Sequence, residues 1–570
     1  MQASGRRIIK RKTWVCCRCR SLSTTSIANL AERRPNQKLP AIPARTRFAP
    51  SPTGYLHLGS LRTALFNFLT AKATGGQFIL RVEDTDKKRT VEDAESRLYQ
   101  DLKWAGLQWD EGPDIGGPYG PYKQSERTSL YQEHAQKLLE SGHAYRCFCS
   151  AERLNSLAME RTKQGLPIDY DRTCANISSE EADERSAKGE PYIIRLKVPN
   201  VAPIYNDLVY GTVGQQKKTK ESRSLHAQSS YEDPVLIKTD GLPTYHLANV
   251  VDDHYMDITH VIRAVEWMPS TPKHMFMYHA FNWEPPIYAH VGLLQDPTRQ
   301  KLSKRDLSSD IRELEREGIF PEALVNYVAL FGWSHRLGTD FISLQDLVNN
   351  FDLKFTKGNT IASPTKLFHL QRRYAEKYVS ERGKEYDSMI ERLEEEAEQY
   401  LKERPGPPIY PNSELKARVA AVLRVDAVNY TTPKKFLERN SYFFCNEPRN
   451  KWSTGSNDHQ LKDAIGLLSS NFKAVTPEQW DEESLKHVFD RIADEILVRG
   501  SPEEGSQIDR GNPGLSTVQN FLRWALCGGR PGPRLISTMA ILGREVSLQR
   551  IEDAASSLEA LSVEVKDDSA

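Results

Sequence analysis

The chain has 570 residues, with 77 Lys or Arg against 76 Asp or Glu, so its formal net charge at pH 7 is +1. Its length supports about three or four domains with sizeable cores. No uninterrupted apolar stretch approaches the roughly 18 residues needed to span a bilayer, so a membrane-spanning helix is excluded; no internal repeat is visible.

The first segment stands apart. Residues 1–46 carry eleven Lys/Arg, a single acid, Glu32, and a Ser/Thr cluster from Ser21 to Ser26. Arg-rich, Ser-rich, acid-poor and without the apolar run of a secretory signal, this reads as a mitochondrial transit peptide over about residues 1–44, with the matrix as the expected location. A basic arm that touches RNA is the other reading. Without residues 1–46 the chain counts 66 basic against 75 acidic residues. A nucleic acid would then be held by local patches rather than by bulk charge: Lys217–Lys220, Arg372-Arg373 and Gly529–Arg534 are the candidates, each also readable as solvated surface.

Residues 45–144 alternate strand and helix signals, with strands at Arg47–Ala49 and Gln77–Val82 and helices at Ser60–Thr74 and Val91–Ala105. That order predicts a parallel nucleotide-binding sheet. Between the first strand and the first helix, Pro50-Ser-Pro-Thr-Gly-Tyr-Leu-His57-Leu-Gly59 forms a glycine-pinched turn. It lets backbone amides and an imidazole face a triphosphate. Residues 145–238 turn irregular and polar, as an insertion would. Within them lie Cys147, Cys149, Tyr170 and Cys174. Three thiols suit zinc but leave a structural ion one ligand short; three metal-free thiols are the alternative.

The sheet pattern resumes over residues 239–320, where Thr244–Ala248, His260–Arg263 and Ile287–Val291 read as strands. Lys301-Leu-Ser-Lys304-Arg305 then sets two lysines on a loop, which taken alone is usually a solvated charge run. After Pro321 the pattern is helical: Ala323–Phe331 in a region spanning 321–380, then the acidic run Glu391–Glu398 and a Pro/Gly linker, Arg404–Pro408, in a region spanning 381–570.

The joint occurrence of Pro50–Gly59 and Lys301–Arg305, in this order, resembles the HIGH and KMSKS signatures of class I aminoacyl-tRNA synthetases. Arg47-Phe-Ala-Pro-Ser-Pro-Thr-Gly54, Phe78-Ile-Leu-Arg-Val-Glu83-Asp-Thr-Asp86, Tyr122-Lys-Gln-Ser-Glu-Arg127 and Tyr245-His-Leu-Ala-Asn249-Val-Val-Asp-Asp253-His254 narrow the resemblance to the glutamyl-tRNA synthetases. It runs from Arg47 to about Tyr374 and continues more weakly to the C-terminus. Glutaminyl enzymes typically carry Pro-Glu-Pro-Asn before the glycine, so Pro50-Ser-Pro-Thr-Gly54 favours glutamate. Ser60 stands where the wider class has a histidine, which removes one phosphate donor.

The resemblance implies an α/β fold. It consists of a class I Rossmann-like catalytic domain interrupted by an acceptor-stem-binding insertion, a stem-contact helical region and an α-helical anticodon-binding domain. It implies ATP-dependent ligation of L-glutamate to tRNA-Glu through glutamyl-adenylate, with magnesium accompanying the nucleotide. His57, Lys301 and Lys304 would be the catalytic residues. Gly59, Glu266, Trp267, Leu302, Ser303 and Arg305 would complete the ATP site with those three. Arg47, Ala49, Ser51, Glu83, Tyr245, Asn249 and Arg263 would bind glutamate, Arg47 on its side-chain carboxylate and Glu83 on its ammonium. The spacing of Cys147, Cys149, Tyr170 and Cys174 resembles the zinc-binding segment of some bacterial glutamyl enzymes, where the tyrosine completes the set.

Relatives usually show a glycine and one or two acids before the tryptophan, whereas this chain has Arg263-Ala-Val-Glu-Trp267. Ala264 adds a methyl group and Val265 lacks a carboxylate, which puts any fine role of those two positions in doubt. Leu522–Arg534 and Leu542–Glu545 resemble the anticodon-binding helical cage of bacterial-type enzymes. Two other readings remain: a glutaminyl-tRNA synthetase, and a non-catalytic RNA-binding descendant, which would be expected to have lost His57 or Lys304. The partners expected are tRNA-Glu, with tRNA-Gln as an open second, L-glutamate and ATP. A monomer suffices.

Overall fold

The computed structural model describes residues 39–165, 168–199, 201–214, 233–300, 310–404, 408–450, 452, 458–499 and 513–567. Most of the expected leader, Lys217–Lys220, Pro405–Pro407 and the whole of Lys301–Arg305 lie outside the described residues.

Strands β1 (Arg45–Phe48) and β2 (Gln77–Leu80) pair in parallel, Arg45 opposite Gln77, and the Leu58–Ala73 helix crosses between them. That helix is buried on nearly every face, Leu61, Leu65, Phe66 and Leu69 included, so it is a core helix rather than a surface one with a single apolar stripe. Both strands and the helix fall within a few residues of where their apolar patterns place them.

The segment read as irregular is more ordered than its polarity suggests. It contains β3 (Ala144–Cys147), β4 (Ile193–Leu196), β5 (Tyr205–Asp207), β6 (Gly211–Val213) and β7 (Val235–Ile237), with helices at Ala151–Lys163 and Ser179–Ala187. β3, β4 and β7 make an antiparallel sheet, while β5 and β6 join β8 (His260–Ala264) and β9 (Ile287–Val291) in the order β6-β5-β9-β8. Strands of three or four residues are too short for a period-two pattern to register.

Register decides which side chains meet across this second sheet. β8 and β9 run parallel with Arg263 opposite His290, and β5 pairs with β9 at Asp207 opposite Tyr288. β1 abuts the start of β8: Thr259 N–H donates to Arg45 O at 2.9 Å, and Arg45 N–H to Thr259 Oγ1 at 2.8 Å.

One expected strand is a helix. Thr244–Ala248, read as strand, opens the helix Tyr245–Tyr255. The five-residue window hid the continuation: Leu247, Ala248, Val250 and Val251 are all buried and follow the three-to-four-residue spacing of one helical face.

Past β9 the chain meets the helical half at a seam. β10 (Leu294–Gln295) pairs in parallel with β11 (Thr360–Ile361), and a Cβ added at Gly292 would lie 1.7 Å from Gly358 O. Pro321–Ala329, Pro364–Glu381 and Lys384–Lys402 are helices, the last containing the acidic run. Buried side chains form one continuous core from Leu65 through Phe351, Leu370 and Leu393 to Phe521 and Ile551. No described helix is long and apolar enough to cross a membrane.

Candidate active site

The first signature sits where β1 hands the chain to its helix. His57 occupies the N-cap with extended backbone, and its Nδ1 accepts from the amides of Gly59 at 3.1 Å and Ser60 at 3.3 Å. Histidine is not a favoured cap residue, yet here its ring satisfies two amides that the helix leaves orphaned. The proton therefore belongs on Nε2, which faces Ser60 Oγ at 3.0 Å. Gly59 makes this possible: a Cβ there would come within 3.1 Å of the His57 ring. The imidazole is exposed and stands at the positive end of the helix dipole, where anions are favoured.

Glu266 and Trp267 lie exposed on the 3-10 turn Val265–Ser270 that comes after β8. The Trp267 ring packs on Tyr245, centroids 4.1 Å apart. The second signature, Lys301, Leu302, Ser303, Lys304 and Arg305, lies outside the described residues. Ala49 and Ser51 come just after β1 at the edge of the same region, and Glu83 N–H donates to Pro50 O at 3.0 Å.

Beneath this edge is a buried network of charges. Arg47 gives Nε and Nη2 to the two oxygens of Asp253 at 3.0 and 3.2 Å. Arg81, fully buried, bonds Asp253 Oδ1 at 2.7 Å and Glu83 Oε1 at 3.3 Å, and its Nε lies 3.6 Å from Asp252. Asp252 in turn accepts from Arg127, Gln124 and Tyr131 at 2.7–2.9 Å. The network orients the Asn249 amide so that its oxygen accepts from Arg47 and Arg81 at 3.1 Å each, and its nitrogen donates to Asp253 at 3.3 Å. Three guanidiniums thus face three carboxylates, the condition under which buried charge is tolerated. Among the described residues Arg47 Nη1 has no hydrogen-bond partner. Burial pushes the Glu83 carboxyl up from its ordinary value, against the pull of Arg81 and Arg47.

Arg263 is held differently. It is 4% exposed, and among the described residues every hydrogen bond it makes is with a neutral group: His290 Nε2 at 3.0 Å, Tyr245 Oη at 3.0 Å, Thr271 Oγ1 at 2.7 Å, and more loosely Trp267 O at 3.3 Å and His274 Nδ1 at 3.4 Å. Burial and the neighbouring Arg263 drive the His274 imidazole well below its usual range. A buried guanidinium with only neutral neighbours favours an anion. Together with Arg47 and Glu83, it suits a small molecule with two carboxylates and one ammonium.

The thiols also converge. The sulfurs of Cys147, Cys149 and Cys174 all lie within 4.8 Å of one another. Tyr170 Oη is 3.4 Å from Cys147 Sγ and 3.2 Å from Cys149 Sγ, and Cys149 and Cys174 are 3.5 Å apart. Two zinc–sulfur bonds of about 2.3 Å at a tetrahedral angle put sulfurs about 3.8 Å apart, so this donor set fits a zinc ion. Hydrogen bonding to Cys174 draws the Cys147 thiol down to about 4, while burial raises the Tyr170 phenol far above its ordinary value.

Two of the expected basic patches are tied into the surface. Arg373 lies 3.6 Å from Glu376, and Arg530 is tied to Glu447 at 3.0 Å and Ser441 at 2.8 Å. Sequence reasoning misses Asp207, His290, Thr271, His274, Arg81, Asp252 and Asp253. One signal is available: two adjacent acids, Asp252-Asp253, directly after the mostly apolar stretch Leu247–Val251, cannot be buried without cationic partners.

Two family models match the chain: "tRNA synthetases class I (E and Q), catalytic domain" over residues 43–367 and "Anticodon binding domain" over residues 392–555. The chain is 36% identical over 513 residues to the mitochondrial glutamate–tRNA ligase of Schizosaccharomyces pombe, covering 89% of this chain and 90% of that protein. To the mitochondrial glutamate–tRNA ligase of Saccharomyces cerevisiae it is 38% identical over 527 residues, covering 90% and 91%. A crystal structure of a glutamate tRNA ligase from Elizabethkingia meningosepticum in complex with its amino acid superposes with a TM-score of 0.72 at 30% identity, over 90% of this chain and 99% of that one.

Proposed function

The chain belongs to the class I tRNA synthetases of the glutamate and glutamine group, and from that membership we propose that it is the glutamate–tRNA ligase of mitochondrial translation, acting in the matrix. It ligates L-glutamate to tRNA-Glu in two steps. The glutamate α-carboxylate attacks the α-phosphorus of ATP and pyrophosphate leaves; a terminal ribose hydroxyl of the tRNA then attacks the mixed anhydride and AMP leaves. Neither step needs a protein nucleophile, so positioning and charge stabilisation carry the catalysis.

We assign Arg47 to the side-chain carboxylate of glutamate, Glu83 to its ammonium and Arg263 to its α-carboxylate, with Tyr245 and Asn249 orienting them. The observation that carries the assignment is Arg47 itself: Asp253 fixes two of its nitrogens and leaves Nη1 for a ligand. A donor in that fixed place can give its hydrogens to either oxygen of a carboxylate, whereas a glutamine amide offers only one acceptor and its NH₂ meets the guanidinium donor to donor. His57 Nε2–H, shared with Ser60 Oγ at the positive end of the helix, would meet the phosphates. Lys301 and Lys304 would neutralise charge on departing pyrophosphate. Magnesium would travel with the nucleotide through phosphate oxygens and water. The insertion would hold the acceptor stem, with zinc on Cys147, Cys149, Cys174 and Tyr170 serving structure only, and the helical C-terminal region would meet the anticodon.

The test is tRNA-dependent ATP/pyrophosphate exchange. Exchange is expected with glutamate and mitochondrial tRNA-Glu, and a preference for glutamine would overturn the assignment. A parallel reaction with tRNA-Gln measures whether that tRNA is charged too. Lys304→Ala is expected to slow exchange far more than it raises the glutamate KM.

A further inference from the structure

We propose that Asp207 and His290 are positioning residues for Arg263: a carboxylate–imidazole pair, running through the three adjacent strands β5, β9 and β8, that fixes the guanidinium in the plane from which it grips the α-carboxylate of glutamate. This role rests on the assignment of Arg263 to that carboxylate.

The chain of contacts is continuous and buried. Asp207 and His290 side chains are fully buried, and Arg263 is nearly so. Asp207 accepts four hydrogen bonds: from the amides of Val209 and Tyr210 at 2.9 Å each on one oxygen, and from His290 N at 3.1 Å and His290 Nδ1 at 2.6 Å on the other. A carboxylate so occupied is a fixed acceptor, and it sets the tautomer, because Nδ1 must carry the proton. Nε2 then presents its lone pair to Arg263 Nε–H at 3.0 Å. Thr271 Oγ1, which accepts from Arg263 Nη2 at 2.7 Å, lies 3.2 Å from the same Nε2. Burial holds the imidazole below its ordinary range, with Asp207 pulling upward and Arg263 downward.

The contrast with Arg47 gives the arrangement its meaning. Asp253 grips Arg47 directly and takes up two of its nitrogens. Such a carboxylate on Arg263 would compete with the ligand's own. A neutral imidazole placed between Asp207 and Arg263 supplies direction without neutralising the guanidinium. The two loosest contacts of Arg263, Nη1 to His274 at 3.4 Å and Nη2 to Trp267 O at 3.3 Å, are those a bidentate carboxylate would replace.

The experiment uses the full chain in tRNA-dependent pyrophosphate exchange, reading KM for glutamate, KM for ATP and kcat separately. His290→Leu is expected to raise the glutamate KM on the order of tenfold, the scale typical of losing a partner that orients a ligand-binding side chain, with kcat and the ATP KM nearly unchanged. His290→Gln, whose amide oxygen reaches the place of Nε2, is expected to recover most of that loss. In an Arg263→Ala background His290→Leu is expected to add nothing. A drop in kcat with the glutamate KM unchanged, or an additive effect in that background, would overturn the proposal and leave the pair a strand tie. If His290→Leu does not fold, Asp207→Asn carries the same comparison, because it keeps the volume and one oxygen for the two amides. If Arg263→Ala leaves the glutamate KM unchanged, the assignment of Arg263 falls and the proposal with it. If Arg263→Ala raises that KM and His290→Leu does not, only the proposal falls.

Discussion

His57 serves the backbone with one nitrogen and meets Ser60 Oγ with the other, and Gly59 keeps that division possible. A methyl group at Gly59 meets the ring at 3.1 Å, tighter than ordinary contact, so Gly59→Ala is expected to swing the imidazole off its cap. Pyrophosphate exchange should then fall by an order of magnitude or more, with the melting temperature lowered only slightly; an unchanged exchange rate would remove His57 from the phosphate site. Glu83 makes a second prediction. Its carboxyl is raised above the ordinary glutamate value by burial, though Arg81 and Arg47 oppose this, and only its ionised form attracts an ammonium. Glutamate kcat/KM should therefore be full above that raised pKa and decline as pH falls through it. Glu83→Gln should abolish the acid limb and raise KM at neutral pH. His57, Glu83 and Arg47 are readable as candidates in the sequence because each sits inside a motif; His290 and Asp207 are not, being isolated residues on short strands that meet only through cross-strand register.

The helix Tyr245–Tyr255 brings Tyr245, Asn249, Asp252 and Asp253 to one side of the sheet, which a five-residue strand could not do. Asn249, Asp252 and Asp253 are three or four residues apart from one another or adjacent, so they crowd one face and meet Arg47, Arg81 and Arg127 together. Removing Asp253 leaves two buried guanidiniums short of a partner. Asp253→Ala is expected to cost about 3–5 kcal/mol of stability, seen as a large fall in denaturant midpoint, and to raise the glutamate KM by loosening Arg47. A stability loss under about 1 kcal/mol would mean the network is not structural. The thiol segment makes a comparable case. Cys147 ends β3, while Tyr170 and Cys174 come from a loop and a 3-10 turn, so an ion there would tie the insertion together. Purified protein should contain one zinc per chain by elemental analysis, and Cys174→Ser should release it and lower the melting temperature. A metal-free protein of undiminished stability would leave three structural thiols. The catalytic half is legible because motifs such as Pro50–Gly59 mark its turns and its first helix is 16 residues long, whereas the insertion's strands are as short as β1 and β2 and have no such markers beside them.

For the whole molecule, a net charge of +1 over 570 residues means tRNA must be held by clustered cations. The proposed glutamate site, in contrast, is built on buried charges and would be little screened. Raising salt from about 50 to about 200 mM should weaken the tRNA KM at least about tenfold and barely move the glutamate KM; parallel slopes would place the two substrates on equally exposed surfaces. At the Gly292–Gly358 contact two backbones touch without side chains between them, directly before β10 and β11 stitch the catalytic half to the helices beyond. If a tRNA is gripped at both extremities at once, this contact would act as the fulcrum of a long lever. Any thickening there is small at the fulcrum and multiplied at the far arm, where the anticodon would dock. An enzyme wedged open at that point would still read its amino acid faithfully while losing its reach for the tRNA.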